Sequence, residues 1–300
     1  MPADPDRRVR VRVPAKVNLH LSVGDLRQDG FHDLVTVFHA VGLYDEVTAS
    51  SSTELFLTVD GEGGDSLPTD AGNLAWRAAQ LLAEAADVPA QVSLALCKAI
   101  PVAGGLAGGS ADAAATLVAC AELWNVDAGL AELAAQLGSD VAFPLLGRTA
   151  LGTGRGEILE PVRSAGELHW VLALSDLGIS AADAYRELDR QRATGVAAEP
   201  LGSARPLLDA LAINDVERVA ALLANDLQPA ALTLAPSLRD TLSAGIDGGA
   251  LAGIVSGSGP TCAFLCADTE SAEKVAAALA GACREARVAT GPAPGARVLP

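Results

Sequence analysis

Two runs near the start of the chain alternate apolar and polar residues. Val9, Val11 and Val13 interleave with Arg10 and Arg12, and Val17, Leu19, Leu21 and Val23 interleave with Lys16, Asn18, His20 and Ser22. A two-residue period puts each set on one side of a strand. The first run predicts a strand with a solvated arginine face. The second predicts an amphipathic strand whose polar side carries Lys16 and Asn18 together. Further strands are expected over residues 35–47, 54–59, 92–100 and 169–174, and a strand–turn–strand over 250–265. Asn73 is placed to cap a helix reaching residue 86, with Leu74, Ala78, Leu81, Leu82 and Ala85 on one face. Other helices are expected over 111–124, 128–137, 205–211, 216–224, 237–244 and 269–280, and one opens at Ser180 with Asp183 completing a capping box. Gly138 reads as a left-handed C-terminal cap. The glycine-rich stretch 61–72 reads as a surface loop, and 193–203 as a flexible connection. Mixed charge with Pro161 and Gly166 predicts a domain boundary, dividing the chain into residues 1–162 and 163–300. No internal repeat suggests a solenoid.

Composition narrows the function. The chain has 300 residues, half of them hydrophobic, and a net charge of −16. So acidic a protein lacks the basic surface that nucleic acid or an anionic membrane requires. An anionic ligand must be caught by a few local donors. The five cysteines, Cys97, Cys120, Cys262, Cys266 and Cys283, are scattered, with no Cys-x-x-Cys pair. They are expected to be reduced thiols in a reducing compartment. The four histidines, His20, His32, His39 and His169, show no zinc spacing. With no apolar leader and no apolar run long enough for a membrane helix, a cytoplasmic protein is expected.

Chemistry concentrates in a few segments. Residues 101–111 read Pro101-Val102-Ala103-Gly104-Gly105-Leu106-Ala107-Gly108-Gly109-Ser110-Ala111, a glycine-rich turn between a strand and a helix. Glycines let backbone N–H groups approach an anion, and a helix N-terminus adds unpaired N–H groups and its dipole. A plain tight turn has the same composition. The Walker lysine and the Rossmann spacing are both absent. Asp29-Gly30 marks a turn, followed by Phe31 and His32, a ring and an imidazole suited to a flat heterocycle. The ordinary alternative is Phe31 in the core and His32 in solvent. Asp140, between Ser139 and Val141, reads on its own as a charge in a helix's first turn. Tyr185 falls in the second turn of the helix opened by Ser180, facing either the core or a ligand.

The glycine turn resembles the second motif of the GHMP kinases, small-molecule kinases that hold ATP phosphates in such a loop. Pro14-Ala15-Lys16-Val17-Asn18-Leu19, Asp29-Gly30-Phe31-His32, Gly138-Ser139-Asp140-Val141-Ala142-Phe143 and Ser256-Gly257-Ser258-Gly259-Pro260-Thr261 are collinear with further motifs of that family. Within it, the first two resemble a branch acting on a cytidine diphosphate sugar alcohol. The resemblance implies an α+β fold of two domains, the first with a left-handed βαβ crossover and the second ferredoxin-like, with the site in the cleft between them. It implies Lys16 and Asp140 as catalytic residues and residues 101–111 as the ATP loop. Asn18, Phe31, His32 and Tyr185 become the substrate-binding residues. Phe31 stands where the branch has Tyr, keeping the ring and losing the hydroxyl. Mg²⁺ is expected with ATP, with the Ser110 hydroxyl as a candidate ligand. A homoserine- or mevalonate-type kinase would not need the Phe31–His32 pair, and a nucleotide-binding sensor of the same fold would not need Lys16 with Asp140.

Overall fold

The structure, a computed structural model, describes residues 7–196 and 200–300. Residues 197–199, inside the connection expected over 193–203, lie outside the described residues. The first half begins with strands β1 (Arg8–Leu26), β2 (His32–Ser51) and β3 (Phe56–Gly61). Helix α1 (Leu74–Ala85), strand β4 (Val92–Lys98) and helices α2 (Gly108–Trp124), α3 (Leu130–Leu137) and α4 (Ala142–Leu146) follow, then the hairpin β5 (Thr149–Thr153) and β6 (Ile158–Pro161). The second half runs β7 (Leu168–Leu174), α5 (Ala181–Ala193), α6 (Arg205–Ile213), α7 (Val216–Leu222), β8 (Ala224–Asn225), α8 (Gln228–Leu234) and α9 (Leu238–Asp247). It closes with β9 (Ala252–Val255), β10 (Cys262–Cys266), α10 (Thr269–Ala278), β11 (Glu285–Gly291) and β12 (Arg297–Val298).

The larger sheet has the order β12-β1-β2-β4-β3, with β5 and β6 continuing from β2 and β8 pairing with β1. β3 and β4 run parallel, joined through α1, as a βαβ unit. The second sheet, β11-β7-β10-β9, is antiparallel throughout. With helices between β7 and β9 and between β10 and β11 it has the ferredoxin-like order, so the α+β expectation holds for both halves. One core joins α1, α2 and the large sheet to Trp170, Leu172, Leu207 and Leu211 of the second half.

Local rules explain most boundaries. Asn73 Oδ1 accepts from Ala75 N–H, and Ser180 Oγ accepts from Asp183 N–H, as the sequence predicts. The two strands expected from the first alternations merge into β1. Its Arg10 and Arg12 face outward beside Glu46 on β2. The side carrying Lys16, Asn18, His20 and Ser22 is buried instead of half-exposed, because the second half of the chain covers it; Ser22 Oγ donates to the carbonyl of Leu201, for example.

Three expectations need correction. Gly138 is extended, at φ 172°, and is no left-handed cap; the chain leaves α3 directly into the turn that carries Asp140. Asp140 precedes α4 instead of sitting in its first turn. Helix α2 begins at Gly108, three residues before the expected start at 111, because the last two glycines of the loop are already helical.

Candidate functional site

A cleft of about 790 Å³ is lined by residues of both halves. The glycine turn contributes Pro101, Ala103, Gly104, Gly105, Ala107, Gly108, Gly109 and Ser110 to its wall. Leu106 and Ala111 belong to the core instead, and Val102 packs over Gly63. Ala107, at φ 60°, turns the chain into α2, so the first N–H groups of a seventeen-residue helix open on the cleft. Gly105 has no room for a side chain. Its φ is +75°, and a Cβ there would lie 2.2 Å from the carbonyl oxygen of Ser256. The third glycine-rich turn therefore presses directly on the first.

Lys16 and Asp140 meet at this place. Lys16 Nζ lies 3.8 Å from Asp140 Oδ2 and donates to the carbonyl of Gly105 at 3.0 Å. Ser256 Oγ donates to the same carbonyl at 3.1 Å. Burial pulls the Lys16 pKa below that of a free lysine, and the Asp140 carboxylate pulls the other way. The lysine is 5% exposed and the aspartate 38%, so the pair presents its carboxylate side to the cleft. A hydroxyl placed there would meet a proton acceptor and a positive charge together.

The aromatic residues also line the cleft, in an arrangement the sequence does not foretell. Phe31 is 46% exposed and His32 is buried, the reverse of the ordinary reading of that dipeptide. The guanidinium of Arg155, from the β5–β6 turn, lies over the Phe31 ring at 4.9 Å. His32 stacks on Tyr185 with centroids 5.1 Å apart, and its Nε2 is 2.9 Å from Asp189 Oδ1. Asn18 is buried between Lys16 and Thr36.

Several supporting residues escaped the sequence reading. Lys98 bridges Asp45 and Asp112, both buried, and Asp45 Oδ1 accepts from the N–H groups of Ala99 and Ile100. The cluster ties the end of β4 to the first turns of α2, on either side of the glycine turn. A signal was available: Lys98 continues the buried phase of Val92, Leu94 and Leu96 along β4. Asn225 and Gln228 did not escape it, since residues 225–228 resemble a family segment: Asn225 Nδ2 donates to the carbonyls of Val255 and Gly257, and Gln228 Oε1 accepts from Val255 N–H. These bonds hold the third turn in place. Thr36 and Asp189 carry no pattern that marks them in the sequence, whereas Arg155 falls in a second glycine-rich turn, residues 150–157, that reads as a plain hairpin or as a segment bordering the site.

Comparisons with known proteins bear on this geometry. Residues 73–148 match the family model for the GHMP kinases N terminal domain, and residues 207–285 that for GHMP kinases C terminal. The chain is 58% identical over 303 residues to the 4-diphosphocytidyl-2-C-methyl-D-erythritol kinase of Mycolicibacterium gilvum, covering 99% of this chain and 94% of that one. It is 56% identical to the enzyme of the same name from Rhodococcus jostii, covering 98% and 96%. A crystal structure of 4-(cytidine 5'-diphospho)-2C-methyl-D-erythritol kinase superposes with a TM-score of 0.76 at 33% identity, covering 93% of this chain and 98% of that one. Homoserine kinase from Cytophaga hutchinsonii superposes at 0.77 with 20% identity over 100% and 99% of the two chains, a likeness of fold. Among the described residues no helix is long and apolar enough to cross a membrane.

Proposed function

The chain belongs to the GHMP kinases and, within them, to the 4-diphosphocytidyl-2-C-methyl-D-erythritol kinases, and on that premise we propose that it phosphorylates the 2-hydroxyl of 4-diphosphocytidyl-2-C-methyl-D-erythritol with ATP, giving the 2-phosphate and ADP in non-mevalonate isoprenoid precursor synthesis. The meeting of Lys16 and Asp140 beside the glycine turn carries the reading. Asp140 accepts the proton of the attacking hydroxyl. The Lys16 ammonium, 3.8 Å from that carboxylate, offsets charge building on the acceptor oxygen and γ-phosphate. Two unit charges ~4 Å apart interact by ~4 kcal/mol at an effective dielectric near 20. The amides between Gly104 and Ser110 hold the α- and β-phosphates.

Mg²⁺ would be held mostly by phosphate and water oxygens, with few protein ligands. The Ser110 hydroxyl, on the cleft wall in the first turn of α2, is the loop oxygen that would hold it, and the ion would neutralise charge shared by the β- and γ-phosphates. Phe31 and Tyr185 flank the cytosine, with His32 supplying a hydrogen bond, and Asn18, held beside Lys16, faces the substrate near its reacting hydroxyl. The half-exposed Phe31 ring has a second face besides the one Arg155 covers. Binding energy from this remote end fixes the hydroxyl for attack. Residues 1–162, joined by the returning strands β8 and β12, serve as the ATP-binding domain, and the rest of 163–300 as its partner across the cleft. Five free cysteines agree with work in the cytoplasm.

An ADP-release assay with cytidine-containing and cytidine-free alcohols tests the reading. Turnover is expected only with the cytidine compound. Equal rates on homoserine or mevalonate would move the protein to another branch, and ATP binding without phosphotransfer would make it a sensor. Asp140→Asn is expected to lower kcat by ~10²–10⁴-fold with ATP affinity kept.

A further inference from the structure

Three side chains and one carbonyl form a line behind the reaction centre. Lys16 Nζ donates to Asn18 Oδ1 at 2.6 Å, Asn18 Nδ2 donates to Thr36 Oγ1 at 2.8 Å, and Thr36 Oγ1 donates to the backbone carbonyl of His20 at 2.8 Å. All three side chains are buried. Water cannot replace a missing link there without room being made for it. An irregularity in the β1–β2 register between Asn18 and His20 brings the Thr36 hydroxyl within reach of both an amide and a carbonyl of the neighbouring strand.

The two ends fix the direction of the line. An ammonium has only protons to give, and a backbone carbonyl has only lone pairs. Each link must therefore donate away from Lys16. The Asn18 side chain can satisfy both neighbours only with its oxygen toward the ammonium and its nitrogen toward Thr36. A hydroxyl at position 36 does both jobs required there, accepting from the amide and donating to the carbonyl. We propose that Thr36 is a positioning residue for phosphoryl transfer: its hydroxyl locks the Asn18 amide so that the amide oxygen anchors the Lys16 ammonium beside Asp140 and the Gly105 carbonyl. The proposal rests on Lys16 as the catalytic ammonium. Burial works against the charged lysine, which makes a correctly oriented acceptor matter more. Without the hydroxyl, the amide is free to turn its NH₂ group toward Lys16 and push the ammonium off the acceptor oxygen.

Thr36 also packs. Its methyl carbon lies against Gly152 of β5, so a purely structural role must be separated from a polar one. Thr36→Val keeps the branched shape and removes the hydroxyl. Thr36→Ser keeps the hydroxyl and removes the methyl. The expected result is a roughly tenfold fall in kcat for Thr36→Val, the worth of one buried hydrogen bond to a charged network, with the KM for ATP unchanged and near-normal kcat for Thr36→Ser. In an Asn18→Ala background, Thr36→Val is expected to add no further loss, because the hydroxyl acts through the amide. Thr36→Cys, a weak donor and acceptor of similar size, takes the place of Thr36→Val if the latter does not fold, with an intermediate fall expected. A normal kcat for the hydroxyl-free variant, a Thr36→Ser enzyme as slow as it, or additive losses with Asn18→Ala would each overturn the proposal. Lys16→Met separates the two levels. An active Lys16→Met enzyme would remove the premise, whereas an inactive one beside a normal Thr36→Val enzyme would remove only the positioning role.

Discussion

Gly105 and Gly109 occupy the same turn and answer to different constraints. A methyl group on Gly105 would strike the Ser256 carbonyl, and the backbone there is in the left-handed region. Gly105→Ala is expected to destabilise the protein by more than ~2 kcal/mol in chemical denaturation, through strain and the displaced third turn. Gly109 lies in the first turn of α2 at ordinary helical φ, and a Cβ would meet nothing closer than Leu74 at 3.8 Å. Gly109→Ala is expected to hold or raise stability by up to ~1 kcal/mol, by helix propensity. The same variant is expected to raise the KM for ATP, because a methyl group would stand where a phosphate approaches the amides. The sequence showed glycine richness and could not divide the two roles, since the atom that excludes a side chain at 105 comes from residue 256. The ordinary alternative for Phe31 and His32, ring in the core and imidazole in solvent, fails for a similar reason. Local hydrophobicity sends the phenylalanine inward, but Tyr185 and Asp189, far along the chain, give the imidazole a buried place.

At the level of elements, strands and helices were legible wherever a period or a cap spoke for them. β4, α1 and α5 lie within a few residues of expectation, with the caps at Asn73 and Ser180 formed. The short α8 and the two-residue strands β8 and β12 were not legible, because pairing with a distant strand defines the strands and a brief helix has no period to show. The Asp45–Lys98–Asp112 cluster binds the strand before the glycine turn to the helix after it. Burial pushes the Asp112 carboxyl up to about 7 from 3.8, against the pull of Lys98 and with the help of Asp45. The folded protein thus holds a proton more tightly than the unfolded chain does between those values. Its contribution to stability is largest at the acid end of that window and declines as pH rises toward 7. Asp112→Asn, which cannot ionise, is expected to flatten the fall of Tm between pH 5 and pH 7, as read by differential scanning calorimetry. A parallel fall in both proteins would mean that Asp112 is ionised throughout.

In the whole molecule, the chain does not finish in the half where its second sheet lies. After β11 it crosses back to the first half. Arg148 N–H donates to Ala293 O, Ala293 N–H to Ala40 O, Ala296 N–H to Pro144 O and Leu299 N–H to Arg10 O. Strand β12 pairs with β1 at Val11 and Arg12. Deleting residues 292–300 is expected to lower Tm by at least roughly 5–10 °C, from these four backbone bonds at ~1 kcal/mol each together with the β12–β1 pairing. An unchanged Tm would show that this segment adds nothing to the first half. The α+β plan of two domains was legible through the collinear motifs that carry the family resemblance. The return crossing was not, because Arg297 and Val298 form no pattern that points to a partner near residue 11.

Strands β8 and β12 pair with β1 at Val11, Arg12, His20 and Leu21, on the side away from β2, and both come from beyond residue 223. On a translating ribosome, β1 therefore emerges long before either of its covers. Until they arrive, a nascent polypeptide carries a bare row of amides and carbonyls along its first strand, the kind of edge that recruits other chains. The pairing that completes the kinase also ends the period in which unfinished copies are most apt to stick to one another.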